Sequence, residues 1–290
     1  MEISRKEFLK TLLPKRTADA NKYSVGSLLC VCGSRGFAGA AVLSLRAALR
    51  SGAGFVRCVL PESIYPIVSS AVPEAVFVPM PEGVEGALSG ESTSEVLRLS
   101  HKADAVLFGC GMGLCEYTEK LTRELLLNCE KPLLVDADGL NLLSKHIDIL
   151  EKREFPIVLT PHTGEMSRLC GYDSKYINAN RELVCEEFVS KYPVTLVLKG
   201  KDSLIAEKGR EIFKNPTGNS GMAVAGSGDV LAGMTASFMA QGASAFDSAV
   251  LGAYIHGLAG DIAKDELTEY SLLPSDIVDK IPLAIKAVLS

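Results

Sequence analysis

The chain has 290 residues, of which 47% are hydrophobic and 22% are charged, and its formal net charge is −5. A chain of this length can bury a sizeable core as one large α/β domain or as two smaller domains. The negative charge and the lack of any block of Lys and Arg argue against a nucleic-acid-binding protein, because such proteins neutralise phosphates with clustered basic residues.

Residues 1–24 are predicted to form an N-terminal helical extension. It contains one short amphipathic piece that stops at Pro14. The apolar residues of this piece are Ile3, Phe8, Leu9, Leu12 and Leu13. We expect this helix to pack on the body of the protein or on a neighbouring subunit. The first ten residues lack the apolar core of a signal peptide, which favours a cytoplasmic protein.

From Val25 the chain alternates short apolar strands with helical segments. Seven strands are predicted, at 28–32, 54–60, 75–78, 104–108, 132–135, 156–159 and 194–198. Both faces of these strands are aliphatic or β-branched, as in a parallel sheet that helices cover on both sides. Helices between the strands are predicted at 38–51, 118–129 and 175–192.

Beyond Lys199 the pattern changes to a predicted antiparallel pair, 203–206 and 210–213, joined by a turn at Lys208-Gly209. Three apolar helices follow, at 229–241, at 245–264 and after Pro274. No linker, low-complexity tract or repeat interrupts the chain. Residues 25–290 are therefore predicted to form a single three-layer α/β domain, with a mostly parallel central sheet flanked by helices.

The longest charge-free run, 230–246, is about as long as a short membrane span. Its many small residues and the aspartates on either side of it favour a buried core helix, and no membrane segment is predicted. The eight cysteines contain no C-x-x-C pair, and most of them lie in apolar runs. We expect reduced, mostly buried thiols.

Glycine-rich and polar segments follow the carboxyl ends of the predicted strands, where open α/β sheets bind ligands. Six such loops are expected to line one rim, namely 33–40, 109–113, 136–141, 160–165, 199–203 and the loop before Asp229.

Each loop also has a purely structural interpretation. Asp136 and Asp138 could hold a cation or a water molecule, and Asp138 could equally cap a helix. A lone histidine such as His162 is more often structural than functional. Lys199 could meet a phosphate or lie on the solvated surface, and Ser203 could anchor a nucleotide or simply begin a strand.

The segment 215–241 is the most informative, because a glycine-rich loop leads into a helix there. Gly226, Ser227 and Gly228 allow the main chain to approach an anion, and the helix N-terminus adds partial positive charge. Asp229 would repel a phosphate, unless it takes a proton from a hydroxyl while the amides hold a phosphoryl group in transfer. The alternative is that Asp229 only caps the helix.

Six ordered segments resemble the ADP/ATP-dependent NAD(P)H-hydrate dehydratase family, which has a ribokinase-like fold. They are GSRGFAGAAVLSLRAALRSGAGFV, FGCGMG, LLVDADGLNLL, VLTPHTGEMSRL, VLKGKDSLIA and GNSGMAVAGSGDVLAGM. Together they extend over roughly residues 25–258. In that family the dehydratase is often fused behind an epimerase domain, and this chain looks like the stand-alone form.

The resemblance implies a reaction on hydrated NADH or NADPH. The C6 hydroxyl of the nicotinamide ring would be phosphorylated from ADP or ATP, with Mg²⁺ as cofactor, and phosphate would then leave. Asp229 would be the base, kept ionised by the helix dipole, and the amides of Gly226, Ser227 and Gly228 would form the anion hole.

The resemblance also implies the binding residues. The hydrate would contact Ala40, Gly111, His162 and Asp229. The adenine nucleotide would contact Lys199, Gly200, Lys201, Asp202, Ser203 and Gly228. No residue is predicted to ligate a metal, and a homo-oligomer, specifically a tetramer, is expected.

Two positions depart from the family pattern. Ser220 stands where many members have proline, and Val224 stands where threonine is common. Two other functions remain open at this point. One is a small-molecule kinase of the same fold, such as a hydroxyethylthiazole or pyridoxal kinase, and the other is a non-catalytic nucleotide-binding module.

Overall fold

A single nine-stranded sheet forms the centre of the computed structural model, which describes residues 5–83 and 85–290. The strands are β1 (Ser27–Val31), β2 (Phe55–Pro61), β3 (Val76–Met80), β4 (Ala105–Phe108), β5 (Leu133–Val135), β6 (Ile157–Leu159), β7 (Thr195–Leu198), β8 (Leu204–Glu207) and β9 (Phe213–Lys214). Their order is β3-β2-β1-β4-β5-β6-β7-β8-β9. The first seven strands pair in parallel, and β8 and β9 extend the sheet antiparallel. The mostly parallel sheet predicted from the sequence is confirmed.

Helices cover both faces of the sheet. They are α1 (Arg5–Leu12), α2 (Ala38–Arg50), α3 (Tyr65–Ala71), α4 (Ser92–Ser100), α5 (Glu116–Asn128), α6 (Asp138–Leu143), α7 (Thr163–Cys170), α8 (Ser174–Ala179), α9 (Arg181–Lys191), α10 (Ser227–Ala240), α11 (Ala245–Glu266) and α12 (Pro274–Leu289). Short 3-10 segments lie at Glu62–Ile64, Ser144–Lys152 and Ser220–Met222.

The central strands divide the interior into two hydrophobic layers. In β1, Leu28 and Cys30 face a core formed largely with α2, α10, α11 and α12, while Leu29 and Val31 face a second core on the opposite side of the sheet. This alternation follows from the two-residue period of a strand. It explains why the strand sequences are apolar on both faces, and it confirms the three-layer prediction.

Helix α10 is the most deeply buried helix of the first layer. Most of its residues are buried, including Val230, Met234 and Phe238, and it packs between α2 and α11. The charge-free run at 230–246 is therefore core, as predicted. Among the described residues, no helix combines the length and hydrophobicity that a bilayer crossing needs.

Some predicted boundaries were wrong. The single helix predicted at 175–192 is two helices, α8 and α9, because Asn180 adopts a non-helical backbone with φ −131° and ψ 38° between them. The strand predicted at 210–213 is shorter and lies further along the chain, as the two residues of β9. Helices α3, α4 and α7, of 7 to 9 residues, were not predicted, while α6 begins at Asp138, where a helix was considered possible.

The N-terminal helix α1 packs on the body of the same chain. Leu9 is completely buried in the first core, and Lys10 Nζ donates a hydrogen bond to the Leu289 carbonyl of α12 at 2.6 Å. Ile3, which the sequence assigns to this helix, lies outside the described residues. The division into an extension at 1–24 and a domain at 25–290 stays a prediction.

The eight cysteines are free, and six of them are buried. The predicted reduced thiols are thus confirmed as unpaired. Cys30, Cys32, Cys58 and Cys110 lie in the first core.

Candidate active site

The loop before α10 turns sharply at Gly226. This residue has φ 99°, a left-handed conformation that favours glycine, and a Cβ placed there would lie 2.6 Å from Leu43 Cδ1. Helix α10 then begins at Ser227 and places Asp229 in its first turn. The sequence prediction of a glycine-rich loop leading into a helix is confirmed.

The amides at this helix start differ in their availability. The Ser227 amide donates to the Val224 carbonyl at 3.2 Å. Within the described part of the chain, the amides of Gly226, Gly228 and Asp229 make no hydrogen bond. The sequence predicts that the amides of residues 226–228 are the donors. In the structure the free amides are instead those of residues 226, 228 and 229. These free N–H groups are the usual anion-binding feature of a helix N-terminus.

Asp229 lies beside two other side chains of the rim. Its carboxylate, the Asp136 carboxylate and the Cys110 thiol have ligand atoms that all fall within 4.8 Å of one another. Burial, followed by the charge of Asp136, raises the pKa of Asp229 to about 6, against a hydrogen bond from Cys110 and the charge of Lys199. Asp229 therefore stays mostly ionised at neutral pH, as expected, but desolvation and like charge raise its pKa above the usual carboxylate value despite the helix dipole. A raised pKa makes this carboxylate a better general base near neutral pH.

Lys199 places its ammonium next to the free amides. Its Nζ lies 2.7 Å from Asp136 Oδ1 and 3.7 Å from Glu165 Oε2, and a Cβ placed on Gly228 would lie 3.3 Å from it. Burial alone would lower the pKa of Lys199, but the two carboxylates raise it above its usual value. The ammonium therefore stays charged beside the start of α10.

Asp136 is the buried centre of this arrangement. Its side chain is 2% exposed, and Oδ1 accepts hydrogen bonds from Lys199 Nζ and, at 2.8 Å, from Thr160 Oγ1. A buried carboxylate needs such partners, since an unpaired charge in the interior is strongly destabilising. Asp136 thereby connects the loops that follow β5, β6 and β7.

His162 combines a structural role with an accessible ring. It is the N-cap of α7, and its Nδ1 accepts hydrogen bonds from the amides of Gly164 at 2.9 Å and Glu165 at 3.2 Å. Because Nδ1 accepts, the ring proton belongs on Nε2, which lies 3.4 Å from Glu165 Oε1. The side chain is 56% exposed, so the ring stays accessible from solvent.

Glu165 links this histidine to the lysine. It is 6% exposed, Oε2 accepts from the His162 amide at 2.8 Å, and the same oxygen lies 3.7 Å from Lys199 Nζ. A chain of polar contacts therefore extends from His162 through Glu165 and Lys199 to Asp136, which adjoins Asp229.

The loops after β1 and β4 meet closely through small residues. A Cβ on Gly111 would lie 2.8 Å from the Ala40 Cβ, and Ser34 Oγ donates to the Gly111 carbonyl at 2.8 Å. A Cβ on Gly109 would lie 2.0 Å from the Asp136 carbonyl oxygen. The predicted pair Ala40 and Gly111 is thus adjacent, and Gly111 directly follows Cys110, whose thiol lies near Asp229.

The turn at 199–203 follows β7 and contacts Arg181 of α9. Arg181 Nη2 donates to the Leu198 carbonyl at 3.0 Å, and a Cβ on Gly200 would lie 2.4 Å from Arg181 Nη1. Ser203 Oγ donates back to the Gly200 carbonyl at 3.1 Å. At the tip, Gly200, Lys201 and Asp202 are exposed. Among the described residues of this turn, only Lys199 contacts the buried carboxylates of Asp136 and Glu165.

The donor set around Asp229 does not suit Mg²⁺ as a site made by protein alone. A Cys110–Asp136–Asp229 group includes a thiol, whose pKa is raised well above its usual value by Cys32 and by burial, and Lys199 already neutralises Asp136. Mg²⁺ prefers oxygen ligands and usually keeps several waters together with substrate phosphates.

His256 is a functional candidate to which the sequence gives no pointer. It lies on α11, is 8% exposed, and its Nε2 is 3.3 Å from Ser227 Oγ. Apolar and small residues surround it in the sequence, so no motif marks it. The sequence does give some indication for Asp136 and Glu165, because each belongs to a polar segment that follows a buried strand.

The two departures from the family pattern lie just upstream of the free amides. Ser220 Oγ donates to Glu269 Oε2 at 2.6 Å, which ties the 3-10 segment to the loop between α11 and α12. The Val224 carbonyl accepts the Ser227 amide, a backbone contact that does not depend on the side chain.

Comparison with known proteins identifies the family to which the chain is similar. A family model described as NAD(P)H-hydrate dehydratase matches residues 28–283. The ADP-dependent (S)-NAD(P)H-hydrate dehydratase of Neisseria meningitidis serogroup B is 34% identical over 272 residues, which cover 90% of this chain and 87% of that protein. Several other curated relatives are bifunctional NAD(P)H-hydrate repair enzymes, and the chain spans about half the length of these proteins.

Two solved structures share the fold over nearly the whole chain. The ADP/ATP-dependent NAD(P)H-hydrate dehydratase of Bacillus subtilis, co-crystallised with ATP and Mg²⁺, has a TM-score of 0.83 and 26% identity and covers 98% of this chain and 97% of its own. A ribokinase-like superfamily protein of Enterococcus faecalis has a TM-score of 0.85 and 28% identity, with 98% and 95% covered. The ribokinase-like fold is confirmed, and the chain belongs to the NAD(P)H-hydrate dehydratase family.

Proposed function

We propose that this protein is an ADP-dependent (S)-NAD(P)H-hydrate dehydratase, which restores NADH and NADPH from their C6-hydrated forms. The observation that carries the proposal is the meeting of Asp229, the free amides around it and the charged Lys199 at the start of α10. A carboxylate beside an anion hole and a cation is the arrangement needed to deprotonate a hydroxyl while a phosphoryl group moves onto it.

In the first half-reaction Asp229 accepts the proton of the C6 hydroxyl as its oxygen forms a bond to the terminal phosphorus of the nucleotide. The bond between that phosphorus and the bridging oxygen breaks, and AMP leaves if ADP is the donor. The amides of Gly228 and Asp229 and the ammonium of Lys199 would stabilise the charge on the equatorial oxygens. Mg²⁺, carried mainly by the nucleotide phosphates, would neutralise further charge there.

In the second half-reaction the C–O bond at C6 breaks and phosphate leaves. The lone pair of the ring nitrogen assists this step, and loss of a proton from C5 restores the dihydronicotinamide. The protein's part is to orient the ring and exclude water. Ala40 and Gly111 would provide a small-residue surface against the ring, and the exposed Nε2–H of His162 would donate a hydrogen bond to the hydrate.

The turn at 199–203 together with Gly228 would hold the adenine nucleotide. Lys199 has the best-supported role in this group, since its ammonium lies beside Gly228. Gly200, Lys201, Asp202 and Ser203 would contact the nucleotide farther from the transferred phosphoryl group, at the open end of the turn.

The direct test is to incubate the purified protein with NADH or NADPH hydrate, Mg²⁺ and either ADP or ATP. We expect the near-ultraviolet absorbance of reduced nicotinamide to return, with ADP preferred and one phosphate released per cofactor restored. The Asp229→Asn variant, prepared in the same way, is the matched control for contaminating activity. A stable phosphorylated alcohol in place of restored cofactor would instead identify a small-molecule kinase of the same fold.

We further propose a cytoplasmic homo-oligomer, specifically a tetramer. The free thiols support a reducing compartment, and the family resemblance supports the assembly. Light scattering during size-exclusion chromatography tests the assembly, since a tetramer of a 30.9 kDa chain has about four times that mass, whereas a monomer has the chain mass alone.

A further inference from the structure

Ser227 is held in place from two directions. Its amide donates to the Val224 carbonyl at 3.2 Å, and its hydroxyl lies 3.3 Å from His256 Nε2. The residue is 8% exposed. Both polar groups of Ser227 thus have partners within the protein, although the residue stands between two glycines whose amides are free.

The two residues on either side of Ser227 are glycines and cannot form side-chain hydrogen bonds of this kind. Gly226 and Gly228 have no side chains, and glycine has the greatest backbone freedom of any residue. The helix start at 226–229 thus has one side-chain attachment to the rest of the fold before Asp229, and that attachment is the contact between Ser227 and His256.

His256 is well suited to be a fixed partner. It projects from α11, which packs along α10, and it is almost completely buried. Burial, aided by the nearby charge of Lys199, lowers its pKa to about 4, against a hydrogen bond with the Ser227 backbone. The ring is therefore neutral at physiological pH, and Nε2 meets the Ser227 hydroxyl as a neutral hydrogen-bonding group.

We propose that His256 is a positioning residue, whose contact with Ser227 fixes the free amides at the start of α10 in the geometry that phosphoryl transfer requires. His256 does not touch the reacting atoms. The proposal rests on the proposed function for its kinetic consequence, but its structural consequence can be measured without any substrate.

The kinetic test compares His256→Leu with His256→Gln. Leucine fills the space but leaves the buried Ser227 hydroxyl without its partner, while glutamine keeps a polar atom near the position of Nε2. Because the free amides would be held less firmly, we expect kcat to fall roughly tenfold in His256→Leu, which corresponds to about 1.4 kcal/mol of transition-state stabilisation. His256→Gln should recover to within about threefold of the wild type.

A double-mutant cycle identifies the contact itself. Ser227→Ala and His256→Leu should each lower kcat, and the double variant should be no worse than the poorer single variant, because both remove one interaction. Additive losses would overturn the proposal, and so would a His256→Leu variant with the kcat of the wild type.

The control for general damage to α11 is Ser248→Ala. Ser248 is completely buried on the same helix, and its hydroxyl donates to the Ala243 carbonyl at 3.3 Å, away from the active site. We expect this variant to lose stability without losing kcat. An equal loss of kcat in Ser248→Ala would show a structural effect of α11 and contradict a specific role for His256.

A substrate-free measurement separates this proposal from the proposed function. The backbone amide resonances of Gly228 and Asp229 should shift in His256→Leu and return towards the wild-type positions in His256→Gln. If the wild-type protein has no dehydratase activity, the proposed function fails, and these resonances still decide the positioning role. Unchanged resonances in His256→Leu would overturn it.

Discussion

The ammonium of Lys199 and the carboxylate of Asp136 form a mostly buried ion pair at the head of α10, with 2.7 Å between Nζ and Oδ1. Two further carboxylates, those of Glu165 and Asp229, adjoin this pair. One positive charge thus faces three carboxylates within the protein itself. The excess negative charge is one reason why the pKa of Asp229 is raised. The charge balance at the rim therefore depends on each of these four side chains.

The first prediction concerns the pH dependence of activity. Asp229 must be ionised to accept a proton, and its pKa is about 6. We therefore expect kcat/KM to rise with pH through about 6 and to level off above it. In Asp136→Asn the charge that raises this pKa is gone, so the rise should move to lower pH. The measurement is the pH profile of kcat/KM for both proteins.

Glu165→Gln is the matched control for that shift. Glu165 is also buried and also pairs with Lys199, at 3.7 Å, but its charge is not among the influences on the pKa of Asp229. Its profile should keep the wild-type midpoint even if its rate is lower. A profile of Asp136→Asn with an unshifted midpoint would contradict the assigned base.

The second prediction concerns nucleotide binding. Lys199→Ala should weaken ADP binding by about ten- to a hundredfold, because charge-assisted hydrogen bonds contribute roughly 1.5–3 kcal/mol. The variant also leaves Asp136 and Glu165 unpaired near the phosphates. Binding of the hydrate should change less. Calorimetric titration with each ligand measures both affinities.

Lys208→Ala provides the comparison for a lost positive charge. Lys208 is exposed in the turn between β8 and β9, away from the start of α10. It should bind ADP as the wild type does. Equal ADP affinity in Lys199→Ala and Lys208→Ala would remove Lys199 from the nucleotide site.

Much of the fold and the rim follow from local sequence patterns. Apolar runs such as 194–198 identify the strands, because both faces of a central parallel strand are buried. Glycine positions 109 and 111 mark close contacts between loops, where any side chain would collide with a neighbouring backbone or side chain. Asp229 stands out because an acidic residue directly after a glycine-rich helix start would repel any anion bound there.

The partners within the site could not be predicted in this way. The period of a helix shows which face is buried, but not which side chain of another helix that face meets. His256 follows Ser227 by 29 residues and sits in an apolar stretch of α11, so their contact depends on how α10 and α11 pack. The pairing of Lys199 with Asp136, 63 residues apart, depends in the same way on β5 and β7 ending at the same edge of the sheet.

The third prediction is that Asp229→Asn loses turnover but gains stability. Loss of a general base typically costs about 10² or more in rate, and nucleotide affinity should be kept. The folded-state pKa of Asp229 is above its ordinary value of 3.8. Its contribution to stability is therefore complete below pH 3.8 and is lost as pH rises through about 6. Above that pH, ionised Asp229 costs up to about 3 kcal/mol, which asparagine avoids.

Denaturant unfolding at several pH values tests this trade-off. Asp229→Asn should unfold at higher denaturant concentration than the wild type at pH 8, and the difference should shrink towards pH 4. Asp265→Asn, at a carboxylate with 77% side-chain exposure, should show no comparable gain. Wild-type turnover in Asp229→Asn would exclude Asp229 as the base.

The last prediction is that His256 makes the fold sensitive to acid. Its pKa is about 4 in the folded protein and 6.5 as the ordinary value, so the unfolded chain takes up a proton between these limits while the folded protein does not. The wild-type protein should therefore have its full stability above pH 6.5 and lose roughly 3 kcal/mol as pH falls to 4. His256→Gln cannot take up this proton, so its free energy of unfolding should fall less over the same range. The difference between the two proteins, measured by denaturant unfolding from pH 4 to pH 7, cancels the titration of the carboxylates that they share. Parallel pH curves for the two proteins would mean that His256 is not held neutral beside Ser227.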